Sequence, residues 1–323
     1  MNKVRLIVAS LLALCAPAMA QDEPPTPDSV VAEAAPGEWV PIAPEDILVM
    51  ELAPAADGSA REVVIQLLPP PFSQPWVKNI KTMARAHWWD GKSVYRVVDN
   101  WVAQWGGGDP ELEMDPGPLP EGVVSPAEPY ESTMICQDAG LDVTYCDPDF
   151  ASPASPDPYV STGMGAAGHV EGWPVAFQFA PEAETNLIWP VHCYGSVGVA
   201  RDLAPDTGTG SELYAVIGHA PRQLDRNIAV VGRVIDGIEY LSTLPRGTAE
   251  AGVYAERSED TPIVSVRLAS EMTTPPAYEY LDTNSDSFAR YVEVRANRHD
   301  SFYEIPAGGV DICNVQVPIR PAQ

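Results

Sequence analysis

The segment YRVVDNWVAQWGGGD occupies residues 95–109 and places one arginine and one glutamine among valines, tryptophans and glycines. Its valines are typical of β-strands, so Arg96 and Gln104 are predicted to lie on, or just beside, two paired strands. The glycines at 106–108 allow a sharp bend or a close approach of the backbone. A guanidinium beside an aromatic wall and an amide suits a hydrogen-bond donor held over an apolar pocket. Taken alone, the segment favours an ordinary barrel strand with an exposed arginine.

The segments on both sides of this stretch have the composition and punctuation of strands and helices. Ser73 and Pro75 signal the start of a helix whose apolar residues fall on one face. The order of the elements predicts a mainly β protein, an antiparallel barrel with capping helices. The predicted strands are 46–53, 61–68, 196–201, 213–218, 228–234 and 262–268, and the predicted helices are 73–86 and 236–244.

Residues 110–190 interrupt this order. The region contains long proline-rich runs that we do not expect to sustain regular structure, so it is interpreted as a long loop insertion pinned by a disulfide. Within it, GMGAAG at 163–168 matches a dinucleotide-binding fingerprint, but no strand is predicted before it and no helix after it. We therefore interpret it as a flexible loop and expect no cofactor.

The first twenty residues have the pattern of a secretory signal peptide. Two basic residues precede a short apolar run, and Ala18-Met19-Ala20 forms a small-residue cleavage site before Gln21. The apolar run is too short to cross a bilayer, and no later stretch is apolar enough to do so. We expect a periplasmic or secreted protein without a membrane span, whose residues 21–44 form an acidic, proline-rich linker.

The charge of the chain excludes some partners. The signal peptide holds two of the 19 basic residues and none of the 45 acidic ones, so the mature chain carries a net charge of −28. Such a field repels nucleic acid and anionic lipid, and a solvated acidic surface is its simplest interpretation. The 34 prolines and 24 glycines indicate a loop-rich β protein rather than a helical bundle.

Four cysteines remain in the mature chain, and an even number in an exported protein indicates disulfides. Cys136 and Cys146 are close in sequence and are the first predicted pair, which leaves Cys193 with Cys313. A zinc site is the rival interpretation, but no C-x-x-C spacing is present and no histidine repeats at ligand spacing, so no metal is expected. In the C-terminal extension, 272–323, we predict a helix at 285–298 and a final strand that carries Cys313.

Three segments, taken in order, resemble the cyclophilins. They are NIKTMARAHWWDGKSVYRVVDNWVAQWGGGD, GSVGVARDLAPDTGTGSELYAVIG and QLDRNIAVVGRVIDGIEYL. The resemblance implies a closed antiparallel eight-stranded barrel capped by two helices over residues 45–271, with the insertion at 110–190. It also implies peptidyl-prolyl cis–trans isomerisation, with proline-containing peptides or exported client proteins as partners. The oligomeric state is left open.

The resemblance assigns roles to individual residues. Arg96 corresponds to the donor to the prolyl nitrogen and Gln104 to the glutamine that binds near it and the substrate backbone. Glu212 replaces a second family glutamine and could pair with Arg96 or Arg201. The predicted substrate-binding set is Trp101, Val102, Ala200, Arg201, Glu212, Tyr214, Gln223, Leu224 and Ile228.

Four positions depart from the family pattern, three of them in the predicted substrate-binding set. Glu212 stands for a glutamine, Gln223 for a large aromatic residue, and Ile228 for a histidine or tyrosine at the rim. Tyr95 also replaces a histidine, at a position that need not touch the substrate. These departures leave two alternatives to a folding enzyme: a non-catalytic proline-peptide binding module, and an assembly protein that uses the insertion as its contact surface.

Overall fold

The computed structural model describes residues 24–108, 114–127, 130–134, 155–157, 159, 165–180 and 185–322. The predicted signal peptide at 1–20 and the predicted Cys136–Cys146 disulfide lie outside these residues. The α-helices are α1 (Pro27–Glu33), α2 (Gln74–Arg85), α3 (Glu239–Ser242) and α4 (Asp286–Ala296). The strands are β1 (Trp39–Pro41), β2 (Ile47–Leu52), β3 (Arg61–Leu67), β4 (Ser93–Val97), β5 (Val102–Gly106), β6 (Ser132–Met134), β7 (Ser155–Pro156), β8 (Gly165–Val170), β9 (Trp173–Ala180), β10 (Thr185–Pro190), β11 (Ser196–Val199), β12 (Leu213–Val216), β13 (Val230–Asp236), β14 (Thr261–Leu268), β15 (Tyr278–Leu281) and β16 (Ile319–Pro321).

Eight strands close into an antiparallel barrel in the order β11-β12-β5-β4-β14-β2-β3-β13, which confirms the predicted fold class. Strand β2 is apolar on both faces because both faces are covered. Leu48 and Met50 point into the barrel core, whereas Ile47 and Val49 pack with Tyr278 of the C-terminal extension. The continuous apolar run of β2 therefore reflects two layers of packing rather than one.

Two helices cover the barrel, as predicted. Helix α2 packs against β13 and β14, and its residues Trp76, Ile80 and Met83 are fully buried at the spacing of one helical face. Helix α3 packs against β3 but has only four residues, so it is shorter than the predicted 236–244. Leu241 is its fully buried residue.

The prediction of an insertion without regular structure was wrong. The described residues of 110–190 form a five-stranded antiparallel sheet in the order β6-β10-β9-β8-β7. Proline density concealed two alternating segments, WPVAFQFA and TNLIWP, which are β9 and β10. Their buried residues Val175 and Ile188 belong to the same core cluster as the barrel. The insertion is therefore a second sheet that packs on the barrel.

The interpretation of GMGAAG as a flexible loop was also wrong for its described residues. Residues 165–168 begin β8, which pairs with β9 through a two-residue turn at Glu171 and Gly172. Both turn residues have positive φ, 48° and 80°, which is the backbone of a tight hairpin turn. A turn without asparagine or aspartate gave a weak signal in the sequence.

The expected linker at 21–44 contains packed structure in its described part. Thr26 caps α1 by accepting a hydrogen bond from the backbone N–H of Ser29, with Pro27 at the first helical position. Helix α1 packs on α4, and β1 pairs with β15. Val30 and Trp39 are buried in a cluster shared with the C-terminal extension. The tether prediction was wrong because the prolines here start a helix rather than stiffen a linker.

The C-terminal extension completes this third layer. Its strands β15 and β16 form a three-stranded sheet with β1, and α4 lies within the predicted helix at 285–298. The predicted disulfide Cys193–Cys313 is confirmed. The strand predicted to carry Cys313 is wrong, because Cys313 lies in a 3-10 turn, Ile312–Asn314, and the only strand of this segment is β16.

None of the helices in the described part of the chain has the length and apolar character needed to span a bilayer.

Candidate functional site

Three neighbouring strands bring the predicted catalytic residues together. Arg96 of β4 lies directly opposite Gln104 of β5, and Gln104 lies opposite Tyr214 of β12. Directly paired residues on adjacent strands have side chains about 5 Å apart. The order β12-β5-β4 in the barrel therefore places a guanidinium, an amide and an aromatic ring in one row across the wall.

An apolar cluster adjoins this row. Val102, Tyr214 and Val216 are buried together, and Ala200, Leu224 and Ile228 are partly buried against them. Five of these six residues belong to the predicted substrate-binding set. The cluster is separate from the main barrel core, so it forms a distinct apolar patch on the barrel wall.

Arg96 is held by two of its nitrogens. Its Nε donates to the carbonyl of Ala251 at 2.7 Å, and Nη1 donates to Oε1 of Gln104 at 2.9 Å. Among the described residues, no protein group accepts a hydrogen bond from its Nη2. Burial lowers the pKa of Arg96, although a guanidinium stays protonated at neutral pH. A fixed donor with spare N–H groups therefore stands beside the apolar cluster.

A series of hydrogen bonds connects Arg96 to a buried carboxylate, and we call it the Arg96–Glu212 network. Nε2 of Gln104 donates to the hydroxyl of Tyr95 at 2.5 Å, and that hydroxyl donates to Glu212 at 2.9 Å. The backbone N–H of Gly108 donates to the other oxygen of Glu212 at 3.0 Å. Burial raises the pKa of Glu212 to about 7.

Glu212 does not pair with Arg96 or Arg201, so that expectation was wrong. Tyr95 intervenes, because it is buried on β4 and supplies the hydroxyl that the carboxylate accepts. Arg201 instead donates to the carbonyls of Asn227 and Asp202. The missed residue is Tyr95, whose contact with Glu212 spans 117 positions and left no local signal in the sequence.

Two predicted pocket residues lie at the edge of the cluster rather than in it. Trp101 follows β4 in a turn and is 36% exposed. Gln223 is exposed in the 3-10 turn Arg222–Leu224, where it lines a neighbouring cleft with Tyr159 and Trp189.

Behind Tyr214 lies a buried polar group that sequence reasoning missed. The Tyr214 hydroxyl is 3.0 Å from Nε2 of His192, and Nδ1 of His192 is 2.9 Å from Asp225. Arg222 donates to Asp225 at 2.5 Å and to Asp157 at 2.6 Å. We call this set the Tyr214–Asp157 network. The Tyr214–Asp157 network links the apolar cluster to the insertion. Its residues have no regular spacing in the sequence from which the network could be predicted.

In the described residues no group of three or more His, Cys, Asp or Glu side chains is arranged to hold a metal ion. His219, the histidine expected nearest the site, is exposed, and its backbone N–H donates to Asn100 at 2.8 Å.

Comparisons with known proteins agree with this architecture. The sequence model of the cyclophilin-type peptidyl-prolyl cis-trans isomerases matches residues 65–268. Cyclophilin AquaCyp293 from Hirschia baltica, a crystal structure, is 18% identical, with a TM-score of 0.59 over 92% of this chain and 97% of that chain. No curated protein sequence matches.

Two crystal structures of a cyclophilin-type peptidyl-prolyl cis-trans isomerase from Cryptosporidium parvum match less closely. The one with the dipeptide Ala-Pro is 12% identical, with a TM-score of 0.38 over 69% of this chain and 98% of that chain. The one without it is 13% identical, with a TM-score of 0.36 over 69% of this chain and 96% of that chain.

Proposed function

This chain belongs to the family of cyclophilin-type peptidyl-prolyl cis-trans isomerases, and from that premise we propose that it accelerates the isomerisation of X–Pro bonds in proline-containing peptides. The observation that carries the proposal is the cross-strand pair of Arg96 and Gln104 next to the apolar cluster of Val102 and Tyr214. A donor, an amide and an apolar patch are the groups that this reaction needs in one place.

The chemistry requires no nucleophile. An X–Pro bond has partial double-bond character with a rotation barrier of roughly 18–20 kcal/mol, so it isomerises in tens of seconds or longer without a catalyst. The catalyst has to bind the twisted bond better than either planar form. As the bond twists, the prolyl nitrogen becomes pyramidal and its lone pair can accept a hydrogen bond. A guanidinium N–H of Arg96 aimed at that nitrogen stabilises the twisted form alone.

The remaining residues hold the substrate. The proline ring would lie on Val102, Tyr214 and Leu224 and would be bound by apolar contact with them. Gln104 would bind the backbone that flanks the proline, and its Oε1 already fixes Nη1 of Arg96. Trp101 and Gln223 at the edge of the cluster would contact the residues on either side of the proline.

We propose exported proteins as the clients and the periplasm or the exterior of the cell as the site of action. The apolar run in residues 1–20 and the Cys193–Cys313 disulfide support this proposal, because disulfides persist in oxidising compartments. The test is amino-terminal sequencing of the protein recovered from the periplasm or the medium, which should begin at Gln21. Recovery of the uncleaved chain in the cytoplasm alone would exclude it.

The proposed activity is tested with Arg96→Ala in a protease-coupled or NMR-exchange isomerase assay on the mature chain. Removing one transition-state donor should lower kcat/KM by about a hundredfold, with the circular dichroism spectrum unchanged. Arg85→Ala is the matched control. Arg85 lies at the end of α2 and forms an exposed ion pair with Glu271, so this substitution should leave the rate unchanged. Equal rates for the wild type and Arg96→Ala would reject Arg96 as the donor.

A non-catalytic peptide-binding module is the second candidate. It is favoured by the exposed Gln223 at a family aromatic position and by the carboxylate of Glu212 in place of an amide. Binding of proline peptides by the wild type, with no acceleration of isomerisation, would select this candidate.

A further inference from the structure

The barrel wall contains a space shaped for the carboxylate of Glu212. A Cβ atom at position 106 would lie 2.3 Å from the carboxyl carbon and from both oxygens of Glu212. Gly106 therefore makes room for the acid, and the backbone N–H of Gly108 and the hydroxyl of Tyr95 face its two oxygens. A buried carboxylate without such partners would be strongly destabilising.

The two ends of the Arg96–Glu212 network fix the direction of every hydrogen bond between them. A guanidinium only donates, and an ionised carboxylate only accepts. The Tyr95 proton must then point at Glu212, so the Tyr95 oxygen faces Nε2 of Gln104, and Oε1 of Gln104 faces Arg96. Burial and the nearby carboxylate raise the pKa of Tyr95, so its single proton is retained for this bond.

We propose that Tyr95 and Glu212 are positioning residues for the isomerase: the ionised carboxylate sets the donor direction through Tyr95 and Gln104 and thereby holds Arg96 in its catalytic orientation. The inference rests on the proposed function. Both residues act on Arg96 through Gln104. Two of the positions that depart from the family pattern, 95 and 212, therefore form one linked unit.

Protonation of Glu212 removes the directional constraint. A neutral carboxyl group can donate to Tyr95, which frees the hydroxyl to donate to Gln104 and allows the amide to turn its NH2 group towards Arg96. The groups that face Glu212 are Tyr95 on β4, the backbone N–H groups of Gly107 and Gly108 after β5, and Lys92 before β4. All of these lower its pKa, but burial outweighs them and places it at about 7. The positioning should therefore be present above neutral pH and lost below it.

The experiment measures kcat/KM for a proline peptide without titratable groups between about pH 5.5 and 8.5, using the full mature chain. We expect the wild-type value to rise about three- to tenfold across this range, the size of one hydrogen bond's contribution. Tyr95→Phe and Glu212→Gln should each abolish the rise. Both variants leave His192 and His219 in place, so a histidine-driven profile would survive in them.

The control variants carry the same substitutions elsewhere in the protein, one in the C-terminal extension and one in the barrel. Tyr278→Phe removes a tyrosine hydroxyl that donates to Asp236 at 2.7 Å, and Glu62→Gln removes a carboxylate on β3 whose pKa is also raised. Both should keep the wild-type pH profile. A flat wild-type profile, or a wild-type profile retained in Tyr95→Phe and Glu212→Gln, would overturn the inference while leaving the proposed function intact.

A second measurement is independent of turnover. In NMR titrations of 15N-labelled protein, the side-chain amide of Gln104 and the Nε–H of Arg96 should shift with a midpoint near the titration of Glu212, and Glu212→Gln should remove that shift. If the wild type shows no isomerase activity, the proposed function fails, and the titration still decides whether the carboxylate orients the amide. Resonances that do not move with pH in the wild type would reject the network as a positioning device.

Discussion

Glu212 directly precedes β12, and the free energy that its carboxylate costs the folded state depends on pH. Its carboxylate receives hydrogen bonds from Tyr95 and Gly108, but burial outweighs them and raises its pKa from 4.5 to about 7. The folded protein consequently holds this proton more tightly than the unfolded chain does. The residue that sets the orientation of Arg96 therefore also reduces stability at neutral pH and above.

The sign of this effect predicts a difference between the wild type and Glu212→Gln. Because the folded pKa lies above the unfolded one, the contribution of Glu212 to stability is full below pH 4.5 and is lost as pH rises through 7. Relative to Glu212→Gln, the wild-type free energy of unfolding should fall by on the order of 3 kcal/mol between pH 4 and 8. Urea denaturation at both pH values measures it. Parallel stability curves would contradict the assigned shift.

Gly198 gives a second prediction at the residue scale. A Cβ at this position would lie 2.3 Å from the hydroxyl and the ring carbon Cζ of Tyr214, because the ring crosses β11 on its way to His192. Gly198→Ala should therefore displace Tyr214 and destabilise the protein by about 1–3 kcal/mol, the usual cost of overpacking. It should also raise KM for a proline peptide.

The matched control is Gly37→Ala, since no atom lies within 4 Å of a Cβ at that position. Thermal melting and peptide titration of both variants provide the comparison. Unchanged melting of Gly198→Ala would show that the Tyr214 ring can move without cost.

At the scale of elements, charged groups as well as apolar residues connect the insertion sheet to the barrel. Arg222, in the 3-10 turn beside the apolar cluster, bonds to Asp225 of the barrel and to Asp157, which directly follows β7 of the insertion. All three side chains are less than 10% exposed, so the ion pairs are shielded from solvent and salt. The turn that carries Leu224 is thereby fixed to the insertion.

Removing Arg222 should lower the free energy of unfolding. Arg222→Met would leave two buried carboxylates without their cation, and we expect a loss of about 3–5 kcal/mol. Arg226→Met is the control, because Arg226 pairs with Glu131 at a more exposed position and stacks over Trp189, so its loss should cost about 1 kcal/mol or less. Denaturation midpoints of both variants measure the difference. Equal losses of stability in Arg222→Met and Arg226→Met would contradict the prediction.

Sequence patterns predicted the barrel because its strands are short, apolar and separated by turn residues, and they predicted Arg96, Gln104 and Tyr214 because motif order carried them. They did not predict β9, since proline dominated its surroundings, or α1, since Thr26 and Pro27 resemble a linker until the cap is seen. The Tyr95–Glu212 and His192–Asp225 contacts were missed for another reason. They join residues far apart in sequence, and burial, rather than residue type, gives them their chemistry.

At the scale of the whole molecule, the N-terminal segment, the insertion and the C-terminal extension share contacts outside the barrel. His169 on β8 contacts Phe288 on α4 and lies 3.0 Å from the carbonyl of Val315. The Cys193–Cys313 disulfide closes 120 residues of chain across the same region. This outer layer is held by both covalent and apolar contacts.

The disulfide yields the prediction at this scale. Cys193→Ala/Cys313→Ala should lower the free energy of unfolding by about 2–5 kcal/mol, since a long closed loop constrains the unfolded chain strongly. The substitutions are preferable to a reducing agent, because they change this disulfide alone. Because Cys193 and Cys313 pack in an apolar cluster other than the one beside Arg96, kcat/KM of the folded fraction should stay at the wild-type value. A lower kcat/KM would show that the outer layer shapes the catalytic residues.

The pairing of β1 with β15 constrains the order in which the protein acquires its structure. Trp39 is opposite Leu281. Strand β1 therefore cannot pair with β15 until residue 281 has been synthesised. The barrel residues between them can condense earlier, because all their strand partners emerge before residue 269. Synthesis from the N-terminus thus allows the barrel to form before the outer layer. A nascent chain arrested before residue 278 would contain all the barrel strands but not β15.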